Sequence, residues 1–374
     1  MKGQRIIFAV TNDLTYDRRM FRICSTLAEA GADVTLVGRR FRNSDVFSPG
    51  TFRGKRLRCF FNKGFLFYKE FNIRLFFYLL FSKFDIACAC DLDTALPVRL
   101  AAGMKAKLSV YDAHEFFTEV PELTGRNFIR KVWDFIGVLT IPGFDLRYTV
   151  GEELATLMNS RYKAYFHVIR NIPSYVQRRD DEEVVIKRDA KILLYQGALN
   201  VGRGLEACLE AMVQLPDWEF WLAGEGDITS KLKDQANKLK INDRVNFLGW
   251  VYSHDLPELM TQARLGINLR EEGSVNDYYS LPNKFFDFIH AGLPSINMNY
   301  PEYARIVDRF PCALLIDKIS PQLIAESIQH LDSNTVLYNA MVTACQDAAM
   351  EFTWTHEGNK LITLYNDLVI KEEI

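Results

Sequence analysis

Metal-type and redox-type cysteine pairs are missing from this sequence. Its seven cysteines, Cys24, Cys59, Cys88, Cys90, Cys208, Cys312 and Cys345, are odd in number and scattered, and no CxxC occurs. That argues against a structural zinc or a thioredoxin-like motif and points to a reducing compartment, the cytosol. Long apolar runs are missing too. In the most aromatic segment the longest uncharged stretch is Leu75–Ser82, far short of the roughly 20 residues a membrane span needs. The start, MKGQRIIFAVTND, has an apolar run of only five residues, which reads as a buried strand and not a signal peptide. An excess of one charge is missing: the formal net charge is −2 and the lysines and arginines are spread along the chain. A nucleic-acid surface needs a basic face, so that class is set aside. No GxGxxG follows the first strand, so the dinucleotide fingerprint is absent.

What is present is alternation. RIIFAV, the helical RRMFRICSTLAEAG and DVTLVGR form a βαβ unit, with Met20, Ile23, Leu27 and Ala28 at helical spacing and Gly31 at the helix end. Strand candidates recur at 84–90, 107–112 and 145–151. After the turn-like RNIPSYVQ and the charged RRDDEEVVIKRD, the pattern restarts at 191–199 and runs through strands at 219–226, 244–251, 265–270 and 294–298, then helical material to the end. Such alternation predicts an α/β fold of two doubly wound, Rossmann-like domains. The expected division is 1–170, a linker at 171–190, and 191–351, with 352–374 crossing back to the first domain. The length of 374 residues suits two domains.

Open α/β sheets bind ligands beyond the C-terminal ends of their strands. After the first strand stand Asn12, Asp13, Asp17 and Arg18, either as turn and cap residues or as hydrogen-bonding groups for a polyhydroxyl substrate. Asp91 and Asp93 form a DxD after the 84–90 strand, readable as a helix-capping turn or as a divalent-metal pair on a diphosphate. Asp112, His114 and Glu115 follow the next strand, where carboxylates can orient and tune the imidazole. In the second half, Gly197 and then Gly202-Arg203-Gly204 precede a helix. Glycines there let the backbone approach a phosphate, and Arg203 can fork onto its oxygens. WLAGEGD, with Glu225, is another glycine turn after a strand.

The stretch SLPNKFFDFIHAGLP raises a question of its own. It puts Asn283 and Lys284 near a helix start, where the macrodipole disfavours a cation. An anion held there resolves the conflict: lysine and helix end for a diphosphate, Asp287 one turn on for two ribose hydroxyls. The alternative is a surface pair between Lys284 and Asp287.

These segments resemble the retaining, nucleotide-sugar-dependent glycosyltransferases of GT-B fold, in the group that builds bacterial surface polysaccharides. YQGALNVGRGLE, WLAGEGD, VNFLGWV, DLPELMTQA and SLPNKFFDFIHAGLPSI resemble that family's segments in order, and VTNDLTYDRRMFRICSTLAEAGADVTLVGR with VYDAHEFFTEVPEL resembles a sub-branch of it. The resemblance implies two facing domains with a cleft, a nucleoside-diphosphate sugar as donor, and no cofactor or metal. It assigns the ribose contact to Asp287, the diphosphate to Arg203 and Lys284, a base contact to Val251, and an active-site role to His114, which would position the donor sugar. The motif's first acid falls at Tyr279 and its other arginine at Ala198, so this chain departs at both; Glu271 and Glu272 are the substitutes considered near the donor sugar. Asp13, Asp17, Arg18, Asp91 and Glu115, with Asn12, are expected on the acceptor side. In this family the leaving phosphate itself is thought to take the acceptor proton.

The Phe- and Tyr-rich segment 60–85, with Lys63, Lys69, Arg74 and Lys83 interspersed, reads either as a core helix or as an interfacial one against anionic lipid. The second reading suits a lipid-linked glycan acceptor and a peripheral protein at the inner face of the membrane. Two other functions fit the same fold: a nucleotide-sugar epimerase, and a non-catalytic glycan-assembly subunit.

Overall fold

The computed structural model describes residues 1–42, 44–120, 123, 125–173, 190–252, 254–271, 273 and 275–373. Most of the expected linker, 174–189, and the candidate Glu272 lie outside the described residues. The chain divides into two compact units, Met1–Asn171 with Thr355–Ile374, and Ile172–Trp354.

The first unit holds β1 (Arg5–Ala9), β2 (Asp33–Arg40), β3 (Arg53–Arg58), β4 (Ile86–Cys90), β5 (Leu108–Ala113), β6 (Leu146–Thr149) and β7 (His167–Val168). They form one parallel sheet in the order β3-β2-β1-β4-β5-β6-β7. The chain runs outward from β1 to β3, then crosses to β4 on the other side. The switch point lies between β1 and β4, where such sheets take their ligands. All five residues of β4 are buried, as a parallel strand covered on both faces requires. The edge strand β3, RGKRLR, is mostly exposed and carries four cations, which discourages pairing with another chain. The helix Gly64–Phe81 buries Phe67, Phe71, Leu75 and Leu79, one residue per turn. The C-terminal helix Trp354–Glu373 belongs mainly to this unit, and its buried Tyr365 brings its hydroxyl to 3.3 Å from that of Tyr148.

The second unit holds β8 (Ile192–Gln196), β9 (Glu219–Ala223), β10 (Val245–Gly249), β11 (Leu265–Asn268), β12 (Ser295–Met298) and β13 (Ala313–Ile316). Its parallel sheet runs β10-β9-β8-β11-β12-β13, with the switch point between β8 and β11. The expectation of purely helical material after 298 is corrected by β13. Its ALLI is a four-residue apolar run, too short for periodicity to tell strand from helix; pairing with β12 decides it.

Candidate functional site

In the second unit, two glycines bring the loops after β8 and β9 into contact. Gly197 has φ +116° and Gly224 has φ +155°, and a Cβ on Gly224 would sit 2.0 Å from the Gly197 carbonyl oxygen. A Cβ on Gly197 would sit 2.6 Å from Lys284 Cε and 2.7 Å from its Nζ. The Lys284 side chain therefore lies directly against the strand end, in space that only glycine leaves open.

Lys284 stands in the first turn of the helix Asn283–His290. Its Nζ donates to the Tyr195 hydroxyl at 2.8 Å, and that hydroxyl donates to the Ala198 carbonyl at 2.8 Å. Burial, then the charges of Arg203 and Arg270, pull the ammonium down to about 7, against the opposing pull of Asp287. The cation at the helix start is thus a poised one, which an incoming anion would charge. One turn on, Asp287 Oδ2 accepts from Gln196 Nε2 at 2.8 Å. The two side chains hydrogen-bond to successive residues of β8, Tyr195 and Gln196.

The surrounding candidates fall as follows. Gly204, φ +65°, precedes the helix Leu205–Met212, and a Cβ there would meet Leu269 Cβ at 3.1 Å. Arg203 is half-buried between it and Gly202. The exposed Glu271 donates its backbone N–H to the Gly202 carbonyl at 3.0 Å, tying the glycine loop to the end of β11. Glu225 is exposed, and its carbonyl accepts from Leu199 N–H at 3.1 Å. Val251 is half-buried against the cluster of Ile192, Leu194, Ala223 and Met260. Asn283 is the half-buried first residue of its helix. Tyr279, where the first acid was expected, ends the short helix Val275–Tyr279. The nearby acid Asp277 pairs with Arg270.

In the first unit, the switch point gathers charge. Arg19 donates to Asp112 Oδ1 at 2.9 Å, both fully or nearly fully buried, and to the Ile169 carbonyl at 3.1 Å. His114 Nε2 lies 3.2 Å from Asp112 Oδ2 and its Nδ1 3.4 Å from Asp91 Oδ2. The His114 backbone N–H donates to Asp91 Oδ1 at 2.8 Å. Burial works against charge on the imidazole, but Asp91 and then Asp112 outweigh it and raise it to about 9. A protonated ring between two carboxylates is a fixed cation, not a base at neutral pH. Asp91 achieves this at φ 61°, ψ 171°, a region that side-chain-bearing residues rarely adopt and that clusters at functional positions.

Asp91 and Asp93 diverge: Asp93 Oδ2 accepts from Thr11 Oγ1 at 2.5 Å, and burial pushes its carboxyl up to about 7. Among the described residues no group of three His, Cys, Asp or Glu is arranged to hold a metal ion. Asp13 takes Thr15 N–H at 3.1 Å, Arg56 at 2.8 Å and the Ser44 hydroxyl. Asp17 takes Met20 N–H at 3.0 Å, as the cap of the helix Arg18–Glu29, and Asn12 Nδ2 at 3.0 Å. The turn-and-cap reading accounts for both. Arg18 is exposed and Glu115 half-buried. Sequence reasoning missed Gln196 and Tyr195. The available signal for Gln196 was a polar residue closing the otherwise apolar ILLYQ, all of it buried.

Residues 176–347 match the family model described as glycosyl transferases group 1. The chain is 25% identical over 131 residues to the chitobiosyldiphosphodolichol beta-mannosyltransferase of Candida albicans, covering 35% of this chain and 28% of that protein. It is 33% identical over 96 residues to the Kluyveromyces lactis protein of the same name, covering 25% and 21%. The matched stretches span under a third of these relatives' length. Sucrose-phosphate synthase from Thermosynechococcus elongatus superposes with TM-score 0.77 at 15% identity, over 98% of this chain and 100% of that one. HepE of Anabaena, in complex with UDP and glucose, gives 0.74 at 14%, over 97% and 100%. WaaG, a glycosyltransferase involved in lipopolysaccharide biosynthesis, gives 0.70 at 15%, over 96% and 99%. The chain thus has the GT-B fold and, over residues 176–347, is similar to the glycosyl transferases group 1.

Proposed function

We propose that the protein is a retaining glycosyltransferase, of hexosyltransferase type, that moves a sugar from a nucleoside-diphosphate sugar to a glycan or lipid-linked glycan acceptor. Its place is surface polysaccharide or glycoconjugate biosynthesis at the cytoplasmic side of the membrane. The observation that carries this reading is Lys284, laid across Gly197 at the switch point of the second unit, with Asp287 one helical turn on. Lys284, Arg203 and the backbone amides of the glycine loops hold the diphosphate, and Asp287 takes the ribose. As the sugar–phosphate bond breaks, negative charge builds on the leaving phosphates. Preorganised cations and a helix start aimed there stabilise that charge electrostatically. No cofactor is needed. In the first unit, Asp91, held against the His114 imidazolium, offers a fixed carboxylate edge for hydroxyl groups on the acceptor side.

A lipid-linked acceptor is supported by the relatives' name, which specifies a diphosphodolichol-linked acceptor. It is also supported by the first unit's surface. No helix among the described residues is long and apolar enough to cross a membrane. Yet Phe65, Leu66, Ile73, Phe77 and Phe81 are exposed along Gly64–Phe81, and Phe128, Val132, Phe135 and Leu139 along the helix Asn127–Thr140. The second set follows i, i+4, i+7, i+11 spacing, an apolar stripe turned outward, with Lys131 at its edge. That is the pattern of an element lying in a membrane interface.

Thermal unfolding with UDP, GDP, ADP and CMP and their sugars tests the donor site. A ligand at one hundred times its dissociation constant stabilises by about 2.7 kcal/mol. A shift for one diphosphate, lost in Lys284→Ala, supports the reading, and no shift with any of them sinks it. The anomeric configuration of the product, read by NMR, tests retention. Conversion of the donor sugar without an acceptor would favour an epimerase instead.

A further inference from the structure

We infer that Gln196 is a positioning residue: its side-chain amide sets the Asp287 carboxylate for ribose recognition, and so makes the second unit prefer ribonucleotides to deoxyribonucleotides. The inference rests on the donor-site reading above and names a determinant within it.

Gln196 is the last residue of β8 and is 2% exposed. Its Nε2 donates to Asp287 Oδ2 at 2.8 Å. A carboxylate accepts only, so this contact fixes the amide's orientation with its N–H₂ toward Asp287. The opposite end then has no match: Gln196 Oε1 is buried without a hydrogen-bond partner in the protein. Buried amides that serve packing alone are normally matched at both ends. An amide kept half-matched at a strand end, with its other half on the one carboxylate assigned to the ribose, serves that carboxylate.

The geometry also says why β8 and not the helix must supply the restraint. Asp287 is carried by an eight-residue helix that starts after Pro282 with no side-chain cap. Those roughly two turns, anchored by the buried Phe286 and Phe288, fix the backbone of Asp287 but leave its side chain a choice of rotamers. β8 is the central strand, paired to β9 on one side and β11 on the other. A hydrogen bond from it transfers the rigidity of the sheet to the group that must meet two hydroxyls at once. The neighbouring Tyr195 does the same for Lys284, so the last two residues of one strand address the two functional groups of the helix.

The test compares binding of UDP, GDP and ADP with that of their 2′-deoxy and 3′-deoxy forms by titration calorimetry, in the full chain. Wild type should prefer the ribo form. Gln196→Met, which keeps the volume and removes the donor, should lower ribo affinity about tenfold while changing deoxy affinity less than about threefold, so the preference collapses. Phosphate contacts do not depend on the ribose hydroxyls, so a merely structural defect would lower both forms together. Gln196→Leu serves if the methionine does not pack. In an Asp287→Asn background, Gln196→Met should have no further effect on the ratio. Equal loss of both forms, or a ratio unchanged by Gln196→Met, overturns the inference alone. Absence of any nucleoside-diphosphate binding by wild type overturns the donor-site reading and the inference with it.

Discussion

Lys284 and Tyr195 are joined by a 2.8 Å hydrogen bond from ammonium to phenol, with the Nζ also 4.2 Å from the ring centroid. The lysine is thus desolvated before any anion arrives, and burial with Arg203 and Arg270 brings it to about 7. A bound diphosphate adds negative charge within reach and must raise that value. Lys284 will therefore take up a proton on binding at pH 8. Affinity should be flat below pH 7 and fall as pH rises above it, by up to about tenfold per unit. Calorimetry in two buffers of different ionisation enthalpy reads the uptake directly. In Lys284→Arg, which stays charged, both the uptake and the pH slope should vanish.

The contact between Gly197 and Lys284 gives a steric prediction. An alanine at 197 puts its Cβ 2.6 Å from Lys284 Cε, at φ +116°. The backbone strain alone costs about 1–2 kcal/mol, and the lysine must leave the strand end. Gly197→Ala should lose nucleoside-diphosphate binding by about tenfold or more, in calorimetry, with a melting temperature lowered by several degrees. Gly202→Ala is the control. Its φ is +81°, but nothing lies within 4 Å of the added Cβ, so it should lose stability with a much smaller effect on binding.

Much of this arrangement was legible in the residues. Strand and helix alternate with enough contrast for the two parallel sheets to be read, and the glycines after β8 and β9 sit where the loops touch. Lys284 and Asp287 stood out because a cation at a helix start needs an explanation. What was not legible depends on which strands become neighbours. Arg19 and Asp112 are 93 residues apart and meet only because β1, β4 and β5 are adjacent. Gln196 finds Asp287 across 91 residues for the same reason. Local spacing carries no trace of either. β3 was missed because an exposed edge strand need not alternate: RGKRLR offers a single leucine. The DxD shows another limit of local spacing. Two carboxylates at i and i+2 look like partners, but a backbone at positive φ sends Asp91 to His114 while Asp93 turns to Thr11.

Asp93 supplies a stability prediction with a definite sign. Its folded value, about 7, lies above the ordinary carboxylate value of 3.8 because of burial. The folded state therefore holds this proton more tightly than the unfolded one. Its contribution is fully present below about pH 4 and is lost as pH rises through 7. Asp93→Asn keeps an acceptor for Thr11 and cannot ionise. Relative to wild type, its melting temperature should climb between pH 4 and pH 8 and level off above. A difference that stays constant across that range would show that the buried carboxyl does not titrate there.

The outward stripe on Asn127–Thr140 gives the remaining prediction. Phe128 is 80% exposed and Phe135 67%. Each ring would leave water on insertion into an interface, worth roughly 1.5–3 kcal/mol if fully buried, or about tenfold in partitioning for partial burial. Sedimentation with vesicles of phosphatidylglycerol mixed into phosphatidylcholine should pull the protein down, and with phosphatidylcholine alone much less, because Lys131 at the stripe's edge favours anionic headgroups. Phe128→Ser with Phe135→Ser should cut vesicle binding about tenfold or more while leaving nucleoside-diphosphate affinity unchanged, since both lie in the first unit. Rising salt should weaken what the lysine contributes but spare what the rings contribute. Equal recovery of wild type and double variant with anionic vesicles would move the membrane contact off this helix. No recovery of either would remove it from the function altogether.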